Sequence, residues 1–547
     1  MRAAFIAPLL MAATLAQAGS GQDPAARLGA LDTEYQAAAA AQRPAIEARA
    51  IAIIDGSLSA AQVDELCKSI PKGRFTRELV VYKRIRLLLH KGQYFEVLKA
   101  LNEYTAEFPQ GRFAADVARE RGRLEALGKV QPRSIGVLFP LSGEYRAYGE
   151  QMVRALRLAI AGKGGELPEA NEGNGEGVYR TAEGVSFIVR DTAADPVKAV
   201  AALDDLVLRL NVVAVIGPVF TGESVAVAAR AVEFGVPVVT LSRKEGITEA
   251  GPWVFRNCLT NSMQAAALAR YAMQKMGFKT FALMYPNIPY GVELANYFWD
   301  AVEALGGEVT GVEMYENDQT TFTMQAKKLA GKYYIEARQG KNDVKLPKWA
   351  DGMKGYRLQK VQERDKGYVT PQIDFDAIFI PDYFDKVSMV VPALAVEDVM
   401  FSNSSKLDIE AAMKATGFKD IKPVQLLGGN GWNSDKLTER AGKGVDGAVF
   451  IDGFFAGSEV PETKTFVDEF RRLFGQTPGL LEAQAYDTAR IFMEIEKTAK
   501  PATRDAMRAA LLAVKDFPAA SGRTTFMPNG EARKELFILA VEKAEKS

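Results

Sequence analysis

The sequence predicts an α/β protein with two similar lobes, preceded by a shorter section made of helices. Residues from about 22 to 128 are rich in Ala, Leu, Arg, Glu and Gln and poor in β-branched residues, which favours helix. From Ser134 onward, short apolar strands alternate with helical stretches, a pattern typical of a parallel sheet covered on both faces. The alternation stops near Asn261 and then begins again. A doubly wound sheet that restarts in this way indicates two lobes of one kind.

The N-terminus has the parts of a secretory signal peptide. A short basic start is followed by the apolar run from Ala3 to Leu15 and by a small-residue site that ends at Ala18. The run is too short to span a bilayer of about 30 Å as a helix. We therefore expect residues 1–18 to be a signal peptide and the mature chain to be exported, with a buried N-terminal helix as the alternative. No cysteine follows the run, so we expect no lipid anchor, and no later segment is predicted to be transmembrane.

Residues 22–128 are predicted to form an α-helical domain similar to tetratricopeptide repeats. Gly92, Tyr94 and Pro109, together with the small and apolar residues between them, resemble the second half of such a repeat. The first half of the repeat is not evident, so an unrelated helical bundle is an equal alternative. In either case we expect the surface to bind a partner rather than to carry chemistry.

The two lobes are predicted at residues 133–260 and 261–452. In the first lobe, apolar strands are expected at Ile135–Phe139, Val185–Val189, Val212–Ile216 and Val236–Leu241. In the second lobe, strands are expected at Thr280–Met284, Val309–Met314, Ala377–Ile380, Pro423–Leu427 and Gly447–Ile451. Residues 332–372 are polar and lack periodicity, which predicts an insertion on the second lobe.

The composition disfavours several classes of chemistry. One histidine and two cysteines cannot supply a His-rich metal site, a zinc ribbon or a His-based catalytic relay. Lys and Arg number 68 and Asp and Glu number 68, which argues against a general hold on nucleic acid. The sequence has no P-loop, GxSxG or HExxH motif. We therefore expect a protein that is not an enzyme, has no catalytic residues, cofactor or metal, and keeps Cys67 and Cys258 as free thiols.

Hydroxyl, aromatic and amide side chains follow the ends of the predicted strands. Because ligands bind at the carboxyl ends of strands in open parallel sheets, these side chains are the candidate ligand-binding residues. They are Tyr148, Thr221, Gly222, Ser242, Lys244, Tyr290, Tyr383 and Asn430. Thr221 is expected at a helix N-terminus, which suits a carboxylate or phosphate. The alternative is ordinary cap chemistry for Thr221 and core-edge packing for the tyrosines.

From about residue 133 the chain resembles type I periplasmic binding proteins, similar to the leucine/isoleucine/valine-binding family. The matching stretches include IGVLFPLSGEYRAYGEQM, VIGPVFTGES, FALMYPNIPYG and FDAIFIPDYF. The resemblance implies two Rossmann-like lobes that close on a small ligand, an ABC permease as partner and a periplasmic location. It also implies three crossings between the lobes, near 257–261, 450–455 and 517–525. Residues 453–517 would then complete the first lobe, and residues 525–547, with a strand at Leu536–Val541, would complete the second.

The resemblance assigns roles to several candidate residues and departs from the family pattern at two others. Thr221 falls where the family binds the carboxylate of an amino acid, and Ser242 falls where the family uses backbone groups. Tyr148, Tyr290 and Tyr383 fall at aromatic pocket positions. Lys244 replaces a usual Thr or Ser, and Asn430 replaces the Glu that pairs with the α-ammonium. We therefore expect an anionic, amide-bearing or peptide-like ligand, or an empty pocket, instead of a branched-chain amino acid.

The helical front joined to this body also resembles the penicillin-binding protein activators of Gram-negative bacteria. The stretches LSRKEGITEAGPWVFRNCLT and LLGGNGWNSDKL are similar to that branch. Its members are typically outer-membrane lipoproteins that stimulate a peptidoglycan synthase, whereas this chain lacks the anchoring cysteine. Two functions are therefore expected: binding of a small polar ligand between the lobes, or regulation of peptidoglycan synthesis through protein contacts.

Overall fold

The structure, a computed structural model, describes residues 23–90, 94–169, 176–334, 371–404, 406–416 and 421–542. The predicted signal peptide, the Gly92-Gln93 pair and most of the predicted insertion at 332–372 therefore lie outside the described residues. The chain divides into two compact units, residues 1–130 and 131–547. Both cysteines are free thiols.

The first unit consists of helices. They are α1 (Pro24–Ala37), α2 (Arg43–Ser57), α3 (Ala60–Ser69), α4 (Phe75–His90), α5 (Tyr94–Glu107) and α6 (Ala114–Gly128). Leu28, Val63 and Val80 lie in one buried cluster, and Leu101 and Tyr104 lie in a second. The predicted helical front is thus confirmed, whereas its kinship with tetratricopeptide repeats stays a prediction.

Buried polar contacts tie the helices of this unit together. The carboxylate of Asp32 in α1 accepts hydrogen bonds from the backbone N–H and the hydroxyl of Thr76 in α4, at 3.1 and 2.5 Å. The hydroxyl of Tyr104 donates to Glu78 at 2.6 Å and accepts from the N–H of Phe113 at 3.0 Å. Buried groups satisfied in this way hold the helices in register without leaving unpaired polar atoms.

The second unit begins with a sheet of six strands. They are β1 (Gln131–Phe139), β2 (Gly177–Arg180), β3 (Ser186–Asp191), β4 (Val212–Ile216), β5 (Val238–Thr240) and β6 (Val254–Arg256). The order is β2-β3-β1-β4-β5-β6, and every pairing is parallel except that of β2 with β3. The helices between them are α7 (Arg146–Ala161), α8 (Pro196–Asp204) and α9 (Thr221–Phe234).

A second sheet of six strands follows. They are β7 (Thr280–Pro286), β8 (Glu308–Tyr315), β9 (Ala377–Ile380), β10 (Gln425–Gly428), β11 (Val449–Asp452) and β14 (Phe537–Ala540), in the order β14-β11-β10-β9-β7-β8. The helices along this sheet are α10 (Asn261–Gln274), α11 (Pro289–Ala304), α12 (Thr323–Leu329), α13 (Phe384–Val396), α14 (Lys406–Thr416) and α15 (Asp435–Ala441). The two sheets with their flanking helices confirm the predicted two-lobed α/β class.

After β11 the chain returns to the first lobe. Three helices follow, namely α16 (Pro461–Phe474), α17 (Leu480–Thr498) and α18 (Arg504–Leu512). α17 packs against α7, and the guanidinium of Arg504 in α18 donates to the carbonyl of Val212 in β4 at 3.2 Å. A hairpin of β12 (Thr524–Phe526) and β13 (Ala532–Lys534) then lies beside β6, where the N–H of Arg256 donates to the carbonyl of Gly530 at 3.0 Å. The chain enters the second sheet only with β14, later than the predicted crossing near 517–525.

Three details of the sheets differ from the sequence-based expectation. β2 and β6 are edge strands of four and three residues, too short to be recognised from the sequence. β5 is limited to three residues instead of Val236–Leu241. The reason is that Pro237 within that run has no N–H to donate to a neighbouring strand.

Candidate functional site

The candidate residues lie at the carboxyl ends of strands in both lobes. In the first lobe they follow β1, β4 and β5, and in the second they follow β7, β9 and β10. This edge is where an open parallel sheet presents its loops and helix N-termini to a ligand.

Tyr290, Tyr383 and Asn430 form one cluster in the second lobe, which we call the tyrosine–amide cluster. The two rings stack with centroids 4.9 Å apart and an interplanar angle of 22°. The Tyr290 hydroxyl donates to Oδ1 of Asn430 at 2.9 Å and accepts from the N–H of Gly431 at 3.1 Å. The N–H of Asn430 donates to Oε1 of Gln264 at 2.9 Å. Because Oδ1 of Asn430 is engaged, its amide NH₂ is the group that remains to meet a ligand.

The environment of the cluster keeps it neutral. Burial is the main cause that raises the pKa of Tyr290, so its hydroxyl stays protonated at physiological pH. Tyr383 is 46% exposed and thus offers a ring face to a ligand. Its backbone N–H donates to Oδ1 of Asp382 at 2.7 Å, and the buried Asp382 also accepts from the Tyr315 hydroxyl at 2.6 Å. Asp382 therefore positions the loop and is not available to a ligand.

The first lobe presents an aromatic wall next to the start of α9. Tyr148 is 51% exposed, and the neighbouring ring of Tyr145 lies 6.3 Å from it and 4.3 Å from the ring of Phe220. Thr221 and Gly222 are exposed in the first turn of α9. Tyr148 was predicted from the sequence, whereas Tyr145 and Phe220 were not, although each lies within three residues of a predicted residue.

A buried carboxylate shapes the loop before α9. Oε1 of Glu223 accepts from the N–H groups of Val219 and Phe220, at 3.1 and 3.0 Å. Burial is the main cause that raises the pKa of Glu223. These hydrogen bonds hold the loop, while Thr221 stays at the positive end of the helix dipole, where an anion is stabilised.

Ser242 and Lys244 lie in the loop after β5 but have different surroundings. Ser242 is fully buried, its N–H donates to Oγ1 of Thr240 at 3.2 Å, and its carbonyl accepts from Sγ of Cys258 at 2.9 Å. Both of its backbone groups thus have partners inside the protein. The Lys244 side chain is exposed, and its carbonyl accepts from Arg256 at 2.5 Å.

Two charged residues of this region were not selected from the sequence. Asp452, at the end of β11, is 6% exposed and accepts from Nδ2 of Asn433 at 2.8 Å and from the N–H of Gly453 at 2.6 Å. Burial raises the pKa of Asp452 to about 6, and the positive charge of Arg243 opposes that rise. Arg243 is exposed beside Lys244, and it also acts on Tyr290. The charge of Arg243, in the first lobe, therefore acts on two groups of the second lobe, Asp452 and Tyr290.

The crossings between the lobes are held by buried polar groups. Nζ of Lys534 donates to Oδ1 of Asn257 at 2.9 Å and to Oγ1 of Thr524 at 3.0 Å, and burial lowers the pKa of Lys534. The buried guanidinium of Arg256 pairs with Glu531 at 2.7 Å and with Glu245 at 3.0 Å. Removing one member of such a buried ion pair lowers the stability of the fold, because the other charge is left buried without a partner. The junction is therefore a stable support for the site.

The structure thus brings the candidates together in two groups. Tyr290, Tyr383 and Asn430 form the tyrosine–amide cluster of the second lobe. Tyr148, Thr221 and Gly222 lie with the aromatic wall of the first lobe, and Lys244 is exposed beside Arg243. Ser242 is buried beneath that loop. The arrangement offers amide donors, ring faces, a helix N-terminus and two cations.

Comparison with known proteins gives one family match and several partial relatives. The model of a family described as periplasmic binding protein matches residues 132–332 and 398–546. The chain is 29% identical over 185 residues to the Leu/Ile/Val-binding protein BraC3 of Rhizobium johnstonii, which covers 32% of this chain and 44% of that protein. It is 30% identical over 175 residues to the Leu/Ile/Val-binding protein homolog 3 of Brucella melitensis, with the same shares covered. The chain therefore spans less than half the length of these two curated relatives.

A solved structure with a similar fold is among the matches. It is that of a candidate branched-chain amino acid ABC transporter from Rhodospirillum rubrum, with 21% identity and a TM-score of 0.56. The match covers 75% of this chain and 97% of that one. At this identity the likeness shows the fold alone.

Proposed function

Since this chain belongs to the periplasmic binding protein family, we propose that it is a binding protein that holds a small polar ligand with an anionic group between its two lobes. The fold is that of a type I, leucine-binding-like member. The observation that carries the proposal is that two exposed cations, Arg243 and Lys244, follow a strand end in the first lobe while the tyrosine–amide cluster lies at strand ends in the second.

The charges at the cleft favour an anion over a zwitterion. Arg243, Lys244 and the N-terminus of α9 all attract negative charge. Two buried acids of the second lobe, Asp382 and Asp452, accept hydrogen bonds from the protein itself. An ammonium group would therefore meet the cations Arg243 and Lys244, while these two carboxylates are already engaged. A carboxylate-bearing compound, such as an acidic or acylated amino acid or a short peptide, fits better.

The rings and the amide indicate the rest of the ligand. The exposed face of Tyr383 and the wall of Tyr145, Tyr148 and Phe220 suit a flat or apolar portion. The NH₂ group of Asn430 suits a carbonyl oxygen. These groups bind and orient a ligand, and the buried acids Asp382 and Asp452 accept hydrogen bonds from the protein, which supports a role other than catalysis.

We further propose that the protein acts in the periplasm, exported by the signal peptide at residues 1–18, and delivers its ligand to an ABC permease. Within the described residues, no helix has the length and apolar character needed to cross a membrane. The family of the second unit supports this location.

A second candidate function is regulation of a peptidoglycan synthase through protein contacts. The observation in its favour is the helical unit, which has two buried clusters of its own and lies outside the family match at 132–332 and 398–546. A protein that only carries a ligand does not need such a unit. Both functions can share one chain because fold alone does not decide function.

The test of the ligand proposal is a thermal-shift and calorimetric screen of the exported chain. The probes are pairs of amino acids, short peptides and peptidoglycan fragments that differ only by a free carboxylate or its primary amide. A ligand present at about 100 times its Kd should stabilise the folded protein by about 2.7 kcal/mol. We expect the carboxylate of a pair to bind and its amide to bind weakly. Preference for the amides, or binding that survives Arg243→Ala unchanged, would contradict the proposal.

The regulatory candidate is tested with a purified peptidoglycan synthase and the full chain. Cross-linking with mass spectrometry should place the contacts on residues 23–128 if the helical unit is the docking surface. Contacts confined to residues 131–542, or no complex at all, would contradict that role and would leave the ligand screen unaffected.

A further inference from the structure

A cavity of about 740 Å³ lies on the first lobe, away from the cleft. It is bounded by the start of β1, the end of α7, the turn between β2 and β3, and the helices α16 and α17. Arg133, near the beginning of β1, and Val185, directly before β3, both line it. These positions mark the amino ends of parallel strands, whereas the candidate cleft lies at their carboxyl ends. The cavity is therefore separate from the site discussed above.

Glu496, in the last turn of α17, forms part of the floor of this cavity. The residue is only 3% exposed. Neither of its carboxylate oxygens has a hydrogen-bond partner among the described residues. A buried carboxylate without a partner costs several kcal/mol, and native structures seldom keep one unless a ligand, ion or water completes it.

The remaining walls are apolar below and charged at the rim. Leu158, Ala159, Val185, Tyr486 and Met493 supply apolar surface. The basic residues of the lining are Arg133, Lys163, Arg490, Lys497 and Lys500. The acidic residues of the lining, besides Glu496, are Glu183, Glu462, Glu469 and Glu494. With Glu496 counted, the lining holds five basic and five acidic residues, so its formal charges balance.

Two basic residues of the lining interact with groups other than the Glu496 carboxylate. A guanidinium nitrogen of Arg133 donates to the carbonyl of Glu183 at 3.1 Å, which holds it on the turn between β2 and β3. The guanidinium of Arg490 lies over the rings of Tyr486 and Phe517, at 5.6 and 5.4 Å from their centroids. The carboxylate is thus left for a group that enters the cavity.

We propose that this cavity is a second binding site, which takes a small organic amine whose ammonium group pairs with Glu496 and whose alkyl part packs on the apolar wall. An anion would meet a buried carboxylate of like charge, and a neutral ligand would leave that charge uncompensated. An ammonium supplies both the opposite charge and three hydrogen-bond donors. The inference does not depend on the ligand proposed for the cleft.

Protonation gives the site a recognisable pH dependence. Burial raises the pKa of Glu496 to about 7, and the charge of Arg133 offsets part of that rise. A bound ammonium stabilises the ionised carboxylate, so binding near neutral pH should release a proton. Affinity should therefore fall as the pH drops from about 8 to about 6, while an alkylammonium stays fully charged.

The experiment is isothermal titration calorimetry of the exported chain with n-butylammonium chloride, and with n-butanol as the uncharged probe. We expect n-butylammonium to bind and n-butanol to bind at least about tenfold more weakly. Glu496→Gln should reduce the affinity for n-butylammonium by at least about tenfold, since it removes the charge and keeps the shape. Glu439→Gln, which changes an exposed glutamate of α15 outside the cavity lining, should leave the affinity unchanged.

A second variant separates loss of the site from loss of the fold. Met493→Trp fills the cavity from a partly exposed position one helical turn before Glu496 and keeps the Glu496 carboxyl group in the chain, and it should also abolish binding. No binding of n-butylammonium to the wild-type chain, or equal binding to Glu496→Gln, would overturn the proposal. Because the cleft is tested with carboxylate probes, a failure here is distinct from a failure of the proposed function.

Discussion

Replacing Glu496 with Gln should stabilise the ligand-free protein, and the gain should depend on pH. Burial raises the pKa of this carboxyl from the ordinary 4.5 to about 7. At 1.36 kcal/mol for each pH unit, that difference corresponds to about 3 kcal/mol of free energy of unfolding. The folded chain binds the proton more tightly than the unfolded chain, so wild-type stability falls as the pH rises from about 4.5 to about 7. Above about pH 7 the wild-type chain has lost all of this contribution to its free energy of unfolding.

The assay is urea denaturation of the wild-type chain and of Glu496→Gln at several pH values. The two proteins should have similar stability near pH 4.5, and the variant should be more stable by about 3 kcal/mol at pH 8. Glu494→Gln, which changes an exposed carboxyl of the same helix, should show no such pH-dependent difference. A difference between wild type and Glu496→Gln that is constant with pH, or one that favours the wild type at pH 8, would refute the reasoning.

Three further predictions follow from individual contacts. Tyr290→Phe leaves the N–H of Gly431 without its acceptor and should lower the free energy of unfolding by about 1–3 kcal/mol in urea titrations. Lys244→Ala should weaken binding of a carboxylate ligand by about tenfold in calorimetry, and unchanged affinity would exclude contact with the ligand. Burial by itself raises the pKa of Asp376, but hydrogen bonds and the ion pair with Lys422 outweigh it and lower this pKa to about 2. Asp376→Asn should therefore lower the free energy of unfolding by about 2 kcal/mol at pH 7. Acid-denaturation curves should show a smaller loss below pH 3.8, where the carboxyl begins to be protonated in the unfolded chain.

Each of these predictions has a matched control. Tyr383→Phe removes a hydroxyl from the same ring stack and should cost less than Tyr290→Phe, because only the latter hydroxyl accepts from a backbone N–H. Lys436→Ala, in a helix that follows the tyrosine–amide cluster, should leave ligand affinity unchanged. If Asp376→Asn were equally destabilising at pH 2 and pH 7, its carboxylate would not be the stabilising group.

The architecture was predictable because it depends on local pattern. Runs such as Ile135–Phe139 and Val212–Ile216 are apolar throughout. Such a run is enough to predict a strand that is covered on both faces of the sheet. The restart of the alternation after Asn261 predicted the second sheet, and the C-terminal strand at Leu536–Val541 is confirmed as β14. β2 and β6 were missed because they are only four and three residues long.

The site was predictable only in outline. The topological rule for parallel sheets located it at the strand ends, which is how Tyr290, Tyr383 and Asn430 were selected from positions up to 140 residues apart. Their stacking and the donation of the Tyr290 hydroxyl to Asn430 depend on how three loops meet. Arg243 and Lys244 are adjacent in sequence, and nothing local shows that the charge of Arg243 acts on Asp452.

Sequence alone therefore determined the helical front and the two-lobed α/β body. It also determined which edge of each sheet is expected to bind a ligand. Tertiary structure decided which charged groups are buried and which are free. Glu496 shows why, because in the helix LLEAQAYDTARIFMEIEKT it has the appearance of an ordinary surface glutamate. Glu496 is buried because α17 packs against the first lobe. The free-energy cost of ionising its carboxyl group depends on the atoms that surround it in space, and these come from residues far apart along the chain.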